Sequence, residues 1–261
     1  AGFLRPVLNR SNLTLVNNKM VRRLSIVGDR VTGVEFADGS QVNANLETLV
    51  TAGAVGSPKL LMLSGIGEAK HLEEVGISVI HELPGVGQNL SDHFGVDIVA
   101  ELKGPYSLDR YGSLWGMLKA GLQYTLFKSG PCASNVVEGG AFWYSDLSLE
   151  HPDLQFHFLA GAGAEDGVEA VPSGITLNSY VTRPRSRGSV RLASSKVDDK
   201  PLIDPNFLGH EEDAIVAARG VELSCEIFAQ SSLQKYVKCM HSPSRPLKTQ
   251  SDFIDFARQY G

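Results

Sequence analysis

Cysteine is scarce in this chain. There are three in 261 residues, Cys132, Cys225 and Cys239, far apart and odd in number. No CxxC and no Cys/His ligand spacing is present, which argues against a zinc or other metal site. Buried free thiols are the expected state, with a disulfide as the alternative. Positive charge is also in short supply. The chain has 24 Lys and Arg against 29 Asp and Glu, a net charge of −5. No basic excess exists to hold a phosphate backbone, so no nucleic-acid partner is expected. No apolar run approaches the roughly 20 residues of a membrane span, so no membrane span is expected either. No secretory signal stands at the start, but a mature or truncated chain would lack one equally. Internal repeats and low-complexity segments are absent.

What is present suits a folded protein. With 43% hydrophobic and 20% charged residues, a sizeable core in one or two domains is affordable. Asn9-Arg10-Ser11, Asn12-Leu13-Thr14 and Asn89-Leu90-Ser91 match glycosylation sequons, which arise often by chance and do not establish secretion.

The first fifty residues read as β-rich. Leu13 to Val16 is a short strand candidate. Met20 to Ile26 and Arg30 to Phe36 flank Val27-Gly28-Asp29, a hairpin connection. Asp38-Gly39 is a second turn signal, and Glu47 to Thr51 is strand-like. A helix is expected around Ala69 to Val75, then a strand near Ser78 to Glu82. Pro84 to His93 breaks any regular pattern, with Gly85 and Gly87 marking an irregular loop. Beyond it, Gly95 to Leu102 reads as a strand. Leu114, Leu118 and Leu122 predict a helix over 113–127. Val136, Glu138, Gly140 and Phe142 alternate, as do Leu154, Phe156 and Phe158, with Gln155 and His157 on the opposite face. Thr176 to Thr182 and Gly188 to Leu192 add two strand candidates. A mainly antiparallel sheet flanked by helices is the natural assembly. Ile215, Ala218, Val221, Cys225 and Phe228 recur at helical spacing, with Glu211, Glu212 and Asp213 near the helix start, where acids suit the dipole. Phe253, Phe256, Ala257 and Tyr260 mark a final helix.

The most informative stretch is Gly53 to Gly67, GAVGSPKLLMLSGIG. It follows the strand-like run and so reads as a strand-to-helix turn. Ser57 suits the N-cap and Pro58 the first helical position. Leu60, Leu61 and Leu63 give an apolar side, and Gly65 a left-handed stop. Gly53 and Gly56 allow close approach of backbone to a ligand. At the carboxyl end of a strand in an α/β unit, that is where flat cofactors lie.

This stretch resembles the second signature of the glucose–methanol–choline (GMC) family of flavoprotein oxidoreductases. The similarity runs through nearly the whole chain, from Ala1 to Asn17 onward. Asn89-Leu90-Ser91-Asp92-His93 resembles the family's Asn-Leu-x-Asp-His. The order of Gly130 to Asn135, Glu138, Pro152 to His157, Ser186 to Leu192 and Pro201 to Pro205 resembles the choline-dehydrogenase-like branch. The resemblance implies an α+β fold: a partial FAD-binding domain over 1–93, a substrate-binding domain over 94–205, and a helical segment over 206–261 returning toward the FAD domain. It implies FAD contacts from Val21, Thr51, Ala52, Gly53, Ser57, Asn89, Asp92 and His93, with the 53–57 turn facing the flavin site. Val21 matches a position whose backbone contacts adenine while its side chain can pack in a strand. Glu138 matches a glutamate lining the substrate cavity, where a carboxylate attracts a quaternary ammonium. Related sequences with other substrates also carry it, so choline does not follow. Arg183, Arg185, Arg187 and Arg191 are expected to be solvated or paired with acids.

Two family features are missing. No Gly-x-Gly-x-x-Gly is present to place FAD pyrophosphate on a helix N-terminus. No His-Pro-x-Gly-Thr segment is present; the expected catalytic histidine and its His or Asn partner lie beyond Gly261. The expectation is therefore the interior of a larger protein, needing N- and C-terminal segments of the same protein as partners. The implied activity is oxidation of a small-molecule alcohol by hydride transfer to flavin. The alternatives are a hydroxynitrile lyase on the same scaffold and a non-catalytic binding module.

Overall fold

The computed structural model describes residues 2–162 and 171–261; Ala1 and 163–170 lie outside the described residues. Chain contacts divide it into two compact units. The first runs to Leu90 and takes in Gly188–Pro205; the second comprises Ser91–Arg187 and Asn206–Gly261. This differs from the expected division. The 188–205 stretch packs with the first unit, and 206–261 packs with the sheet of the second.

The first unit begins with the hairpin that its turn residues predict. Strands β1 (Val21–Val27) and β2 (Arg30–Phe36) pair antiparallel about Gly28-Asp29, where Gly28 takes φ +62° as a two-residue connection requires. Asp38 Oδ1 accepts the Ser40 N–H at 3.0 Å and turns the chain into β3 (Gln41–Asn43), giving the order β1-β2-β3. Two expected strands do not form. Residues 13–16 and 47–51 join no ladder. A strand exists only through the partners that satisfy its backbone, and neither segment has a ladder partner among the described residues. Leu46 and Leu49 accordingly stand 88% and 75% exposed.

Helix α1 (Gly53–Leu63), β4 (Ile66–Gly67), α2 (Ala69–Glu74) and β5 (His81–Glu82) follow, with β4 and β5 parallel. Met62 and Leu72 form a small core with Leu192. Leu192 arrives with a three-stranded sheet of β6 (Gln88–Leu90), β11 (Gly188–Arg191) and β12 (Leu202–Asp204), ordered β12-β11-β6. Thus 188–191, expected in the large sheet, pairs instead with the 84–93 loop region. Gly87 makes this possible. It takes φ +79°, and its carbonyl accepts the Val190 N–H at 2.7 Å.

The second unit is built on β7 (Phe94–Leu102), β8 (Val137–Trp143), β9 (Leu154–Leu159), β10 (Gly174–Val181) and β13 (Val237–Ser242). They form one antiparallel sheet in the order β13-β7-β10-β9-β8. Its apolar face carries Phe94, Val96, Ile98, Leu154, Phe156 and Leu177. Helix α4 (Glu211–Phe228) buries Ala217, Val221 and Phe228 against that face. Gly220 lets the helix backbone come close, since an added Cβ would lie 2.9 Å from Ser179 Oγ. After the short α5 (Ser231–Gln234), α6 (Gln250–Tyr260) starts at a capping box of Thr249 and Asp252 and adds Phe256 and Ala257. Helix α3 (Leu114–Phe127) forms as its periodicity predicts, with Ser113 as N-cap. Its leucine stripe, however, is exposed at Leu114, Leu118 and Leu122, and its buried residue is Ala120.

Candidate functional site

The 53–67 stretch divides into two halves with different physics. The closing half is fixed by packing. Ser64 Oγ accepts the Leu24 N–H at 2.8 Å and donates to the Leu60 carbonyl at 2.6 Å, tying β1 to the end of α1. Gly65 takes φ +81°, and an added Cβ would lie 2.6 Å from the Ser78 carbonyl oxygen. The left-handed stop expected at Gly65 is therefore present and enforced by a close neighbour.

The opening half is different. The helix begins at Gly53, five residues earlier than the expected start at Pro58, so Ser57 is not the N-cap and Pro58 is not at the first position. Ser57 lies inside the helix and reaches back, its Oγ accepting the Ala52 N–H at 3.0 Å. That bond does from within the first turns what a cap does from outside. Gly53 also takes φ +81°, yet an added Cβ there would meet nothing within 4 Å. No acidic side chain occupies the first turn, and no side-chain cap is made at Ala52. Thr51, Ala52 and Gly53 are exposed. The backbone at this end of α1 is thus open to its surroundings. One concavity of the first unit, a cavity of about 780 Å³ lined by Arg22, Leu24, Thr32, Ser64 and Ile77, lies at the other end of α1.

The remaining expected residues fall as follows. Val21 opens β1 opposite Phe36 and is half-buried. Asn89 lies in β6 at an irregularity opposite β11, exposed, with φ +60°. Asp92 and His93 belong to the second unit, where Asp92 Oδ1 accepts the His93 backbone N–H at 2.8 Å. Glu138 lies in β8 and is exposed; its Oε1 accepts the Ser134 hydroxyl at 2.5 Å. Simple alternation does not reach it. The pairing of β8 with β9 slips between Val137 and Gly139, so Glu138 is the extra residue of a bulge.

Past the bulge, the second unit's sheet presents a polar face. Gly140, His157, Asn178 and Asp97 stand in one row across β8, β9, β10 and β7; Phe142, Gln155 and Tyr180 stand in the next. Directly paired residues share a face. Gln155 Nε2 and His157 Nε2 lie 2.9 Å apart, and the His157 and Tyr180 rings are 5.1 Å apart. The alternation of Gln155 and His157 against three apolar neighbours was the sequence signal for this face. For Gly95 to Leu102 and Thr176 to Thr182 the sequence reading is a strand alone, with no face assigned to Asp97, Asn178 or Tyr180.

Two buried polar groups were not foreseen. His71, 4% exposed, accepts the Leu192 N–H through Nε2 at 3.0 Å. Burial, then the charge of Arg191, push its pKa below the ordinary 6.5. The unfolded chain therefore binds this proton more readily. The stabilising contribution is whole above about pH 6.5 and is lost as pH falls toward the lowered value. Amide exchange at Leu192 should accelerate over that range, and His71→Gln, which keeps an acceptor but does not titrate, should flatten the response. An unchanged pH profile in the variant would contradict this role. Asp213 stands in the first turn of α4 with Glu211 and Glu212, as expected of a helix-dipole acid; it is also 3% exposed and accepts the Arg185 and Ser186 N–H groups at 2.8 and 2.7 Å.

Of the four arginines, Arg185 pairs with Glu212, and Arg191 with Glu68 and Glu74. The cysteines are free, but only Cys225 is shielded, its thiol pushed up to about 11 by burial. Cys132 and Cys239 are exposed, against expectation. Among the described residues no cluster of His, Cys, Asp and Glu could hold a metal, and no helix is long and apolar enough to cross a membrane.

GMC oxidoreductase family models match residues 1–95 and 184–260. The chain belongs to the GMC oxidoreductase family, whose cofactor is FAD. It is 38% identical to the oxygen-dependent choline dehydrogenase of Brucella ovis, over 99% of this chain and 48% of the relative. It is equally similar to that of Sinorhizobium medicae, over 100% and 48%. Among solved structures, a formate oxidase of Aspergillus oryzae superposes with TM-score 0.86 at 26% identity, covering 97% of this chain and 50% of the other. A pyridoxine 4-oxidase superposes with TM-score 0.83 at 25% identity, covering 98% and 47%. The chain spans about half the length of the curated relatives it matches.

Proposed function

We propose that this chain supplies the central part of an FAD-dependent oxidoreductase that oxidises an alcohol at its CH–OH carbon. The observation that carries the reading is the open turn at the head of α1. Gly53 holds a left-handed conformation with free space where a side chain would be. The adjacent N–H groups face no acid of the first turn, as an approaching cofactor needs. The residues present therefore fit part of a flavin site. Thr51, Ala52 and Gly53 would offer backbone contacts, Ser57 would hold the turn, and Val21 would offer its backbone to adenine. Asn89, Asp92 and His93 are proposed to order backbone near the isoalloxazine ring. FAD, when bound, supplies the acceptor for the substrate hydride.

The chain's own part in the reaction is binding and orientation. The polar face bearing Gln155, His157, Tyr180 and Phe142 is proposed as one wall of the substrate cavity, with Glu138 contributing negative charge at its edge. A carboxylate there would favour an alcohol carrying a cationic group. The proton-abstracting histidine and the pyrophosphate cradle are assigned to other segments of the same protein. Bleaching of flavin absorbance by an alcohol without oxygen tests the redox reading. An intact protein whose flavin stays oxidised while it releases cyanide from a cyanohydrin would be a lyase instead.

Glu138→Gln in the intact protein should weaken binding of cationic alcohols about tenfold, the loss of one charge-assisted contact, and leave neutral alcohols unaffected. Equal affinities before and after, for both kinds, would remove Glu138 from the cavity.

A further inference from the structure

Val136 takes φ +74°. A β-branched residue in the left-handed region is an outlier, because its Cβ crowds the following carbonyl. Burial does not offset the strain, since the side chain is 48% exposed. Hydrogen bonds hold it instead. The Val136 N–H donates to Ser134 Oγ at 2.9 Å. The Val136 carbonyl accepts the Ala160 N–H at 3.4 Å, just past the end of β9. The Ser134 hydroxyl meanwhile donates to Glu138 Oε1 at 2.5 Å. Immediately beyond, the β8 register slips at Glu138. One hydroxyl therefore fixes both the strained backbone and the carboxylate of the bulged residue. Its single proton goes to the carboxylate and a lone pair takes the N–H. Backbone strain survives only where the surroundings over-determine it, and it gathers at functional sites. Bulges re-aim side chains at such sites.

We propose that Ser134 is the positioning residue for Glu138: its hydroxyl and the left-handed turn at Val136 aim the carboxylate at the cationic group of the substrate. This rests on the assignment of Glu138 to the substrate cavity. Alanine at 134 removes the donor to the carboxylate and the acceptor for Val136 together. Threonine keeps both.

The test uses the intact, FAD-loaded protein. Its readouts are kinetics with choline and with its uncharged isostere 3,3-dimethylbutan-1-ol, and calorimetric binding of tetramethylammonium. In S134A, KM for choline and Kd for tetramethylammonium should rise about fivefold to tenfold, the scale of one lost charge-assisted hydrogen bond. kcat, and KM for the neutral alcohol, should stay within about twofold. S134T should restore both constants, and S134A should add nothing in an E138Q background. If E138Q weakens cation binding and S134A does not, the role of Ser134 is overturned while the cavity assignment stands. If E138Q changes neither, or the wild type binds no cation, the cavity assignment falls and this inference with it. Equal losses for both alcohols in S134A, unrescued by threonine, would reduce Ser134 to a structural residue.

Discussion

Asp213→Ala should destabilise the second unit by about 3–5 kcal/mol, the range for removing one partner of a buried, charged hydrogen-bond set. Asp213 stands at the head of α4 yet serves the 185–186 segment. Its carboxylate takes two backbone N–H groups and the Ser186 hydroxyl. That hydroxyl in turn accepts the His210 N–H at 3.0 Å. Alanine would leave the Ser186 donors buried without a partner, and such groups cost more than the bond was worth. Asparagine is a poor substitute, because one of its two positions is a donor facing donors. Burial alone would raise this carboxyl's pKa, but the backbone N–H of Arg185 and both donors of Ser186 hold it below 3.8. Its folded value is thus below its unfolded one. The contribution is complete above about pH 4 and is lost as pH falls through the lowered value. Both tryptophans, Trp115 and Trp143, lie in the second unit, so tryptophan fluorescence during urea unfolding reads this unit. A loss below about 1 kcal/mol, the scale of a single neutral hydrogen bond, would refute the anchor.

Asp213 also shows what the sequence conceals. Three acids before an apolar helix read as dipole partners, and that chemistry is local. Asp213 does stand in the first turn, but its hydrogen-bond partners are 27 and 28 positions away, and no periodicity reports a loop folding back on a helix. His71 was hidden for the same reason, its partner Leu192 lying 121 positions on. Patterns that depend on near neighbours were legible. They include the hairpin about Gly28-Asp29, the long strands β7, β9 and β10, and the spacing that gave α4. Leu114, Leu118 and Leu122 gave the helix correctly but implied a buried stripe, because periodicity predicts a conformation and not what covers it. Residues 13–16 and 47–51 have strand composition without ladder partners. The alternation through Glu138 failed at a bulge, which adds a residue without any change of composition. The family resemblance supplied the cofactor, which no local pattern could.

Two glycines of one motif, both at φ +81°, should respond to alanine in opposite ways. At Gly65 the new Cβ would press on the Ser78 carbonyl oxygen at 2.6 Å and on Ile80 Cγ1 at 2.9 Å. Backbone cannot yield as a flexible side chain can, and the turn sits between α1 and the β4–β5 pair. Gly65→Ala should therefore cost the first unit about 3 kcal/mol or more, the left-handed penalty plus overpacking. At Gly53 the Cβ enters open space, so only the conformational penalty of about 1–2 kcal/mol remains. The proposed cofactor contact reverses the order for binding. A methyl group on the surface that backbone offers to FAD should weaken flavin binding by Gly53→Ala about tenfold or more, the scale of one displaced close contact. Gly65→Ala, if it folds, should bind FAD as the wild type does. Amide exchange across β1 and α1 reports the stability arm, and quenching of flavin fluorescence during FAD titration of the intact protein reports the binding arm. Equal, small stability losses at both positions would refute the packing distinction. Wild-type flavin affinity in Gly53→Ala would move the cofactor away from this turn, and the opening half of the motif would then have no function beyond starting a helix.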